Sequence, residues 1–233
     1  MRKLVGIGVG PGAADLLTLR ALRYLREADH IFIPLNRGKS RAYDTVKDVV
    51  EEEKVIFLDF PMTEVTAAHY NKAFDEIDEV TKEGELSCLL TLGDGTVYAT
   101  LIEVLAAGDA RDFETELVPG IPAFLAGING VVESLTRKGE SFLLTDHLDE
   151  VIPSVDTIAL LKTTRAEESA HRLMEAGFHL LYLEEIETDQ WAASTDADCF
   201  AGRKHYMSMI IGRRRPWNTA AIQKHTKGRV RIL

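Results

Sequence analysis

Cysteine and proline are scarce in this chain, and basic residues are outnumbered by acidic ones. The two cysteines, Cys88 and Cys199, lie far apart. They make neither a disulfide framework nor a paired metal motif, so a reduced, cytoplasmic setting is the simplest expectation. Lysine and arginine total 27 against 37 aspartates and glutamates, a net charge of −10. Such a surface repels phosphate backbones, which makes nucleic acid a poor default partner. A local basic patch can still receive an acidic small molecule. No apolar run approaches the roughly 20 residues that span a bilayer, so no membrane partner is expected. Met1-Arg2-Lys3 and the apolar residues after it look superficially like a leader, but Leu4 to Gly12 holds too many glycines for a hydrophobic helix. The seven histidines include no i, i+4 pair of the kind that binds zinc. There is no G-x-S-x-G elbow and no G-x-x-x-x-G-K-[ST] phosphate loop, so neither a serine hydrolase nor a P-loop enzyme is supported.

What is present is an ordinary globular composition: 233 residues, 45% of them hydrophobic and 27% charged. Apolar runs alternate with helical periodicity, the pattern of parallel strands covered by helices. Strands are expected at Leu4–Val9, Ile31–Ile33, Val55–Leu58, Leu86–Leu92 and Glu114–Val118. Between them, helices are expected over Leu16–Glu27 (Leu19, Leu22 and Leu25 inward), Ser40 to about Val50, Ala67–Glu83 (Phe74, Ile77 and Val80 inward) and Val97–Ala106. Pro119-Gly120 breaks the chain, dividing an N-terminal α/β domain, 1–117, from a C-terminal one, 118–233. The second half repeats the style in shorter pieces, with strands near Phe142–Leu144, Thr157–Leu161, Leu180–Glu184 and Tyr206–Ile211 and a helix over Thr164–Ala176. Met207 and Met209 then alternate on a strand and fill core or interface space. From about Arg213 the periodicity fades and positive charge accumulates, which reads as a solvated basic tail.

The chemistry-bearing feature is the turn Gly8-Val9-Gly10-Pro11-Gly12 between a strand and a helix. Glycines let a backbone approach a ligand closely, and Gly8, Gly10 and Ala13 fit a relaxed dinucleotide fingerprint. Pro11 has no N–H for a pyrophosphate, and the acidic residue that pattern needs would have to be Asp29. A nucleotide site and a plain tight turn both fit these residues taken alone.

Three ordered blocks add to that reading. Gly6 to Gly12 with Asp15-Leu16-Leu17-Thr18-Leu19-Arg20-Ala21, and then Glu27-Ala28-Asp29, resembles the opening of the tetrapyrrole methylases. Leu90-Thr91-Leu92-Gly93-Asp94-Gly95-Thr96-Val97-Tyr98 resembles that family's "LGDP…Y" loop, and Val118-Pro119-Gly120-Ile121-Pro122-Ala123-Phe124 its "VPGI" linker. Within the family, Phe60-Pro61-Met62-Thr63 resembles the "FPMT" segment of precorrin-2 C-20 methyltransferases. Ile33-Pro34 with Gly38 to Ala42, the strand ending Leu160-Leu161-Lys162, Leu181 to Glu184 and Tyr206 to Ile211 also suit that branch. The chain departs from the family at Ala13, where an aspartate is usual, and at Gly95, where a proline normally stiffens the turn.

The resemblance implies two α/β domains with the cofactor in the cleft between them, and a homodimer. It implies S-adenosylmethionine as cofactor and a methyl transfer to C-20 of precorrin-2 or cobalt-precorrin-2, a flat ring edged with carboxylates. The cofactor-binding residues it implies are Val9, Pro11, Gly93, Asp94, Gly95, Val97, Pro122, Ala123, Leu161 and Tyr182. Asp94 is the side chain of most interest: its carboxylate can favour a cationic ligand, or it can simply bond its own turn. Arg37, Lys39 and Arg41 form a basic cluster suited to substrate carboxylates. No general base is identified, and the family's aspartate role is unsupported at Ala13 unless Asp15 substitutes. The alternatives are a tetrapyrrole methylase of different ring-carbon specificity, a relative that methylates RNA or a protein, a nicotinamide-dependent oxidoreductase, or a binding protein without turnover.

Overall fold

The computed structural model describes residues 1–233 apart from 62–64, 109–111, 149–153, 164, 203–204, 226–230 and 233. Two compact units emerge, Met1–Pro122 and Ala123–Leu233. Met62-Thr63 of the branch-specific block, and the expected helix start at Thr164, lie outside the described residues.

The first unit holds five strands: β1 (Arg2–Gly8), β2 (His30–Leu35), β3 (Val55–Asp59), β4 (Leu86–Thr91) and β5 (Phe113–Val118). They pair in parallel in the order β3-β2-β4-β1-β5. Four helices connect them: α1 (Leu19–Glu27), α2 (Arg41–Val46), α3 (Ala67–Val80) and α4 (Thr100–Ala107). Successive strand residues face opposite sides of a sheet. Val5, Ile7, Ile31, Ile33, Cys88 and Leu90 accordingly pack with Tyr24 and Leu25 of α1 and Val46 of α2. Their neighbours Leu4, Phe32, Leu58 and Leu89 pack with Phe74 and Ile77 of α3 and Leu101 and Val104 of α4. Both faces are covered, as a parallel sheet requires, and each fully buried large side chain contributes about 1.5–3 kcal/mol.

Helix α1 corrects the expected phase. The Thr18 hydroxyl accepts the Ala21 N–H at 3.1 Å and starts the helix at Leu19 rather than Leu16. Leu19 then points outward, 87% exposed, and the buried face is Ala21, Tyr24 and Leu25. Helix α4 likewise starts three residues later than expected, because residues 93–97 are used in a turn.

The second unit begins with α5 (Ala123–Gly130), followed by β6 (Phe142–Thr145), β7 (Thr157–Leu161), α6 (Ala166–Glu175), β8 (His179–Glu184), β9 (Ala192–Ser194), β10 (Ser208–Arg213), α7 (Thr219–His225) and β11 (Arg231–Ile232). Its sheet order is β11-β9-β8-β10-β7-β6. The style of the first unit is not repeated. β10 fills the slot between β7 and β8 and runs antiparallel to both, and β8 and β9 are also antiparallel. Among the described residues, only β6–β7 and β9–β11 are parallel. A fully buried strand has the same apolar pattern in either direction, so its polarity is set by connections that the pattern does not reveal. Helix α5 is glycine-bearing because its neighbours leave no room: a Cβ on Gly130 would sit 1.9 Å from the Trp191 ring.

The expected solvated tail is the clearest correction. Arg213 is 1% exposed and ends β10. Its guanidinium donates to Glu133 Oε2 at 3.0 Å, to the Ser134 carbonyl at 3.2 Å, to the Arg215 carbonyl at 3.1 Å and to the Pro216 carbonyl at 2.8 Å. It also lies 3.6 Å from the Trp217 ring centroid. Arg215 reaches Glu140 at 3.1 Å, and Trp217 Nε1 donates to the His179 carbonyl at 2.9 Å. A cation with a counter-charge and several acceptors can be buried, and composition alone registers only its charge. Burial pushes the Glu133 carboxyl up, but the Arg213 contacts prevail and hold it below its ordinary value. Glu133→Gln leaves the buried guanidinium without its counter-charge, and an equilibrium urea titration should show a loss of about 3 kcal/mol.

Candidate active site

In a parallel sheet all C-terminal strand ends share one edge. At that edge the loops after β1, β4 and β5 are clasped together. Val9 N–H donates to the Thr91 carbonyl at 2.9 Å, Gly10 N–H to the Gly93 carbonyl at 3.1 Å and Gly93 N–H back to the Gly10 carbonyl at 2.7 Å. The Gly120 backbone presses into the same point. A Cβ on Gly120 would lie 2.0 Å from the Gly93 oxygen, and one on Gly8 would lie 2.6 Å from that oxygen and 2.7 Å from the Gly120 nitrogen. These contacts are with backbone, which cannot swing aside, so both positions demand glycine.

Asp94 closes the clasp. Its Oδ2 accepts the Gly120 N–H at 3.0 Å, and its Oδ1 accepts the Thr96 N–H at 2.9 Å and the Thr96 hydroxyl at 2.5 Å. Partial burial pushes its carboxyl up, but these three donors outweigh it and hold the group below the ordinary aspartate value of 3.8. The side chain thus bonds its own turn and a second loop at once. The Asp94–Thr96 contacts fix the turn that lacks the family's proline, so Gly95 does not leave it loose.

The electrostatics of the cluster bear on what it can hold. The N–H groups of Val9, Gly10, Gly93 and Gly120 are all engaged within the protein, and Pro11 has none. A pyrophosphate cradle needs free donors. With those four amides engaged and the Asp94 carboxylate held as an anion, the cluster suits a cationic group better than a pyrophosphate. Helix α1 is also displaced from the loop, since a short 3-10 turn over Ala14–Leu16 intervenes. Asp15 is in that turn and is exposed, so it does not enter the clasp in place of Ala13.

Val9, Pro11, Gly93, Asp94, Gly95 and Val97 are therefore brought together in the first unit, and the Val97 N–H bonds the Asp94 carbonyl at 3.2 Å. Arg37, Lys39 and Arg41 follow β2 on the same sheet edge; Arg37 and Lys39 are exposed, and Arg41 opens α2. Pro122 ends the first unit and Ala123 opens α5. Leu161 ends β7. Tyr182 is fully buried in β8, paired with Ile210 and Ser194, and its phenol donates to Glu184 at 2.9 Å. Burial first, and the Glu184 carboxylate second, push that phenol well above its ordinary value, so it stays protonated.

A polar cluster just beyond β7 and β8 had no signal in the sequence. His205 Nδ1 lies 2.7 Å from the buried Glu185 carboxylate, and the Thr163 and Ser208 hydroxyls meet at 2.8 Å. These partners are 20 and 45 residues apart in the chain and share no motif spacing.

The family model for Tetrapyrrole (Corrin/Porphyrin) Methylases matches residues 3–185. The chain belongs to this family. Among relatives, a probable cobalt-precorrin-2 C(20)-methyltransferase of Methanocaldococcus jannaschii is 32% identical over 173 residues, 72% of this chain and 75% of that protein. A cobalt-precorrin-2 C(20)-methyltransferase of Salmonella typhimurium is 33% identical over 130 residues, 53% of this chain and 54% of its own length. Among solved structures, the Thermus thermophilus uroporphyrin-III C-methyl transferase complexed with S-adenyl homocysteine superposes with a TM-score of 0.67. It is 19% identical and the match covers 90% of this tetrapyrrole methylase and 97% of that chain, a likeness of fold.

The clasp makes two predictions. Gly8→Ala should cost about 1–3 kcal/mol in chemical denaturation, whereas Gly95→Ala, whose Cβ meets only Leu101 at 3.4 Å and more distant side-chain atoms, should be close to neutral. Asp94 has a lowered folded pKa, so its contribution is fully present above the ordinary value of 3.8 and is lost as pH falls through the lower folded one. The stability difference between wild type and Asp94→Asn, measured by urea titration at stepped pH, should shrink to nothing over that acidic window.

Proposed function

We propose that the chain is an S-adenosylmethionine-dependent C-methyltransferase acting at C-20 of precorrin-2 or cobalt-precorrin-2, in cobalamin biosynthesis. The observation that carries the reading is the loop cluster in which the Val9, Gly10, Gly93 and Gly120 amides are engaged and Asp94 is held as an anion. Such a site favours the positive charge of a sulfonium. The resemblance of Phe60-Pro61 and its neighbours to the C-20 branch, and the two relatives of that activity, support the acceptor carbon. In this reading Val9, Pro11, Gly93, Asp94, Gly95, Val97, Pro122, Ala123, Leu161 and Tyr182 hold the cofactor, and Arg37, Lys39 and Arg41 meet the substrate acids. The enzyme is a cytoplasmic homodimer with no nucleic-acid partner.

When bound, S-adenosylmethionine supplies an electrophilic methyl group on a sulfonium. The protein's contribution is then orientation. Holding two reactants in line converts a bimolecular reaction into an effectively unimolecular one and accounts for most of the acceleration such a site needs. The clasp is suited to this, since its loops are fixed by backbone hydrogen bonds and by Asp94, so little reorganisation accompanies binding. The protein need not provide a covalent nucleophile, because an electron-rich ring carbon attacks.

Calorimetric titration with S-adenosylhomocysteine tests the reading. Wild type should bind it, Asp94→Ala should bind about tenfold to a hundredfold more weakly through loss of charged hydrogen bonds that order the loops, and NADH should give no heat. A folded, cofactor-free sample that fails to bind S-adenosylhomocysteine overturns the proposal.

A further inference from the structure

At the same sheet edge, beyond β2, the chain makes a two-residue hairpin. Asn36 N–H donates to the Lys39 carbonyl at 2.9 Å and Lys39 N–H to the Asn36 carbonyl at 3.0 Å. The residues between them, Arg37 and Gly38, have φ of 49° and 73°. That is a type I′ geometry, which favours Asn-Gly. An arginine is disfavoured in the left-handed region, yet Arg37 occupies the position, exposed and with no hydrogen bond or ion pair from its guanidinium to the described residues.

Arg37 borders a cavity of about 490 Å³ whose apolar floor includes Leu58, Phe60 and Ala73 and whose wall carries His69 and Lys72 of α3. Thr66 N–H donates to His69 Nδ1 at 3.1 Å, which leaves the imidazole proton on Nε2 as a fixed donor. Lys72 lies 3.7 Å from Glu76, so those two charges offset each other. Asp59, at the end of β3, also lines the cavity and has no side-chain partner among the described residues. An unpaired cation, an oriented imidazole N–H and an apolar floor make a receptor for a carboxylate on an apolar stem, with Asp59 setting a like-charge penalty.

We propose that this cavity is a carboxylate subsite, in which Arg37 and His69 receive one acidic side chain of the tetrapyrrole. The proposal rests on the methyltransferase reading. Adjacent strands are about 4.8 Å apart, so β2 and β3 stand roughly 10–14 Å along the edge from β1 and its glycine loop. A ring substrate with acid chains on its rim can reach both places at once.

The test uses uroporphyrin III, a stable acid-rich porphyrin, titrated by fluorescence into the full chain, with S-adenosylhomocysteine calorimetry and thermal melting on the same samples. Arg37→Asn should keep or raise Tm, because asparagine suits the turn, while weakening porphyrin binding about tenfold or more through loss of a charge-assisted contact. Asp59→Asn should tighten binding, and both variants should bind S-adenosylhomocysteine as wild type does. Unchanged porphyrin affinity in Arg37→Asn, weaker affinity in Asp59→Asn, or no porphyrin binding by wild type overturns the subsite. Loss of S-adenosylhomocysteine binding by wild type would instead overturn the methyltransferase reading, so the two failures are distinguishable.

Discussion

The backbones of Gly8, Gly93 and Gly120 approach so closely that a methyl group at the first or last would overlap a neighbouring carbonyl, and the chemistry of the first unit follows from that contact. Five parallel strands deliver their C-terminal loops to one edge, where amide–carbonyl bonds join the loops after β1 and β4 and the Asp94 carboxylate ties in the loop after β5. Asp94 makes the arrangement rigid by bonding its own turn and the Gly120 amide at the same time. A carboxylate accepting several donors is stable as an anion, so one group both fastens the loops and leaves the cluster electronegative. With the Val9, Gly10, Gly93 and Gly120 amides engaged and a carboxylate at the centre, this glycine-rich βα turn is suited to a cation, whereas similar turns elsewhere cradle phosphates.

The second unit is organised by a different constraint. Its β10 must sit between β7 and β8, and the strand ends in an arginine that is buried only because Glu133, three backbone carbonyls and Trp217 surround it. Residues 214–217 are thereby drawn onto the sheet, with Trp217 buried against it. Positive charge there serves packing, whereas at Arg37 an exposed charge is held on a turn that does not favour it.

Legibility in the sequence tracks how local each cause is. The first sheet was readable because buried parallel strands are continuous apolar runs between helical segments, and the strand ends Gly8-Val9-Gly10 and Gly93-Asp94-Gly95 announce turns by residue type. The phase of α1 was not, because one hydroxyl, that of Thr18, overrode the leucine spacing. Helix α5 was hidden by its glycines, whose presence is explained only by Leu183 and Trp191 packing against them. The direction of β10 and the burial of Arg213 depend on partners dozens of residues away. The same holds for the dual role of Asp94: its turn was foreseeable from Gly-Asp-Gly, but the Gly120 contact crosses from one strand end to another. His69 and Lys72 carried no motif, and they gained meaning only when α3 set them beside Arg37.

The position of the transferred methyl group is the most direct test of the proposed chemistry. The protein is incubated with S-adenosylmethionine carrying a ¹³C-methyl label and with precorrin-2 or cobalt-precorrin-2, and the product is read by carbon NMR. One labelled methyl, at C-20, is the expected result. Label at another ring carbon, or no label from folded protein that binds the cofactor, would contradict C-20 methylation.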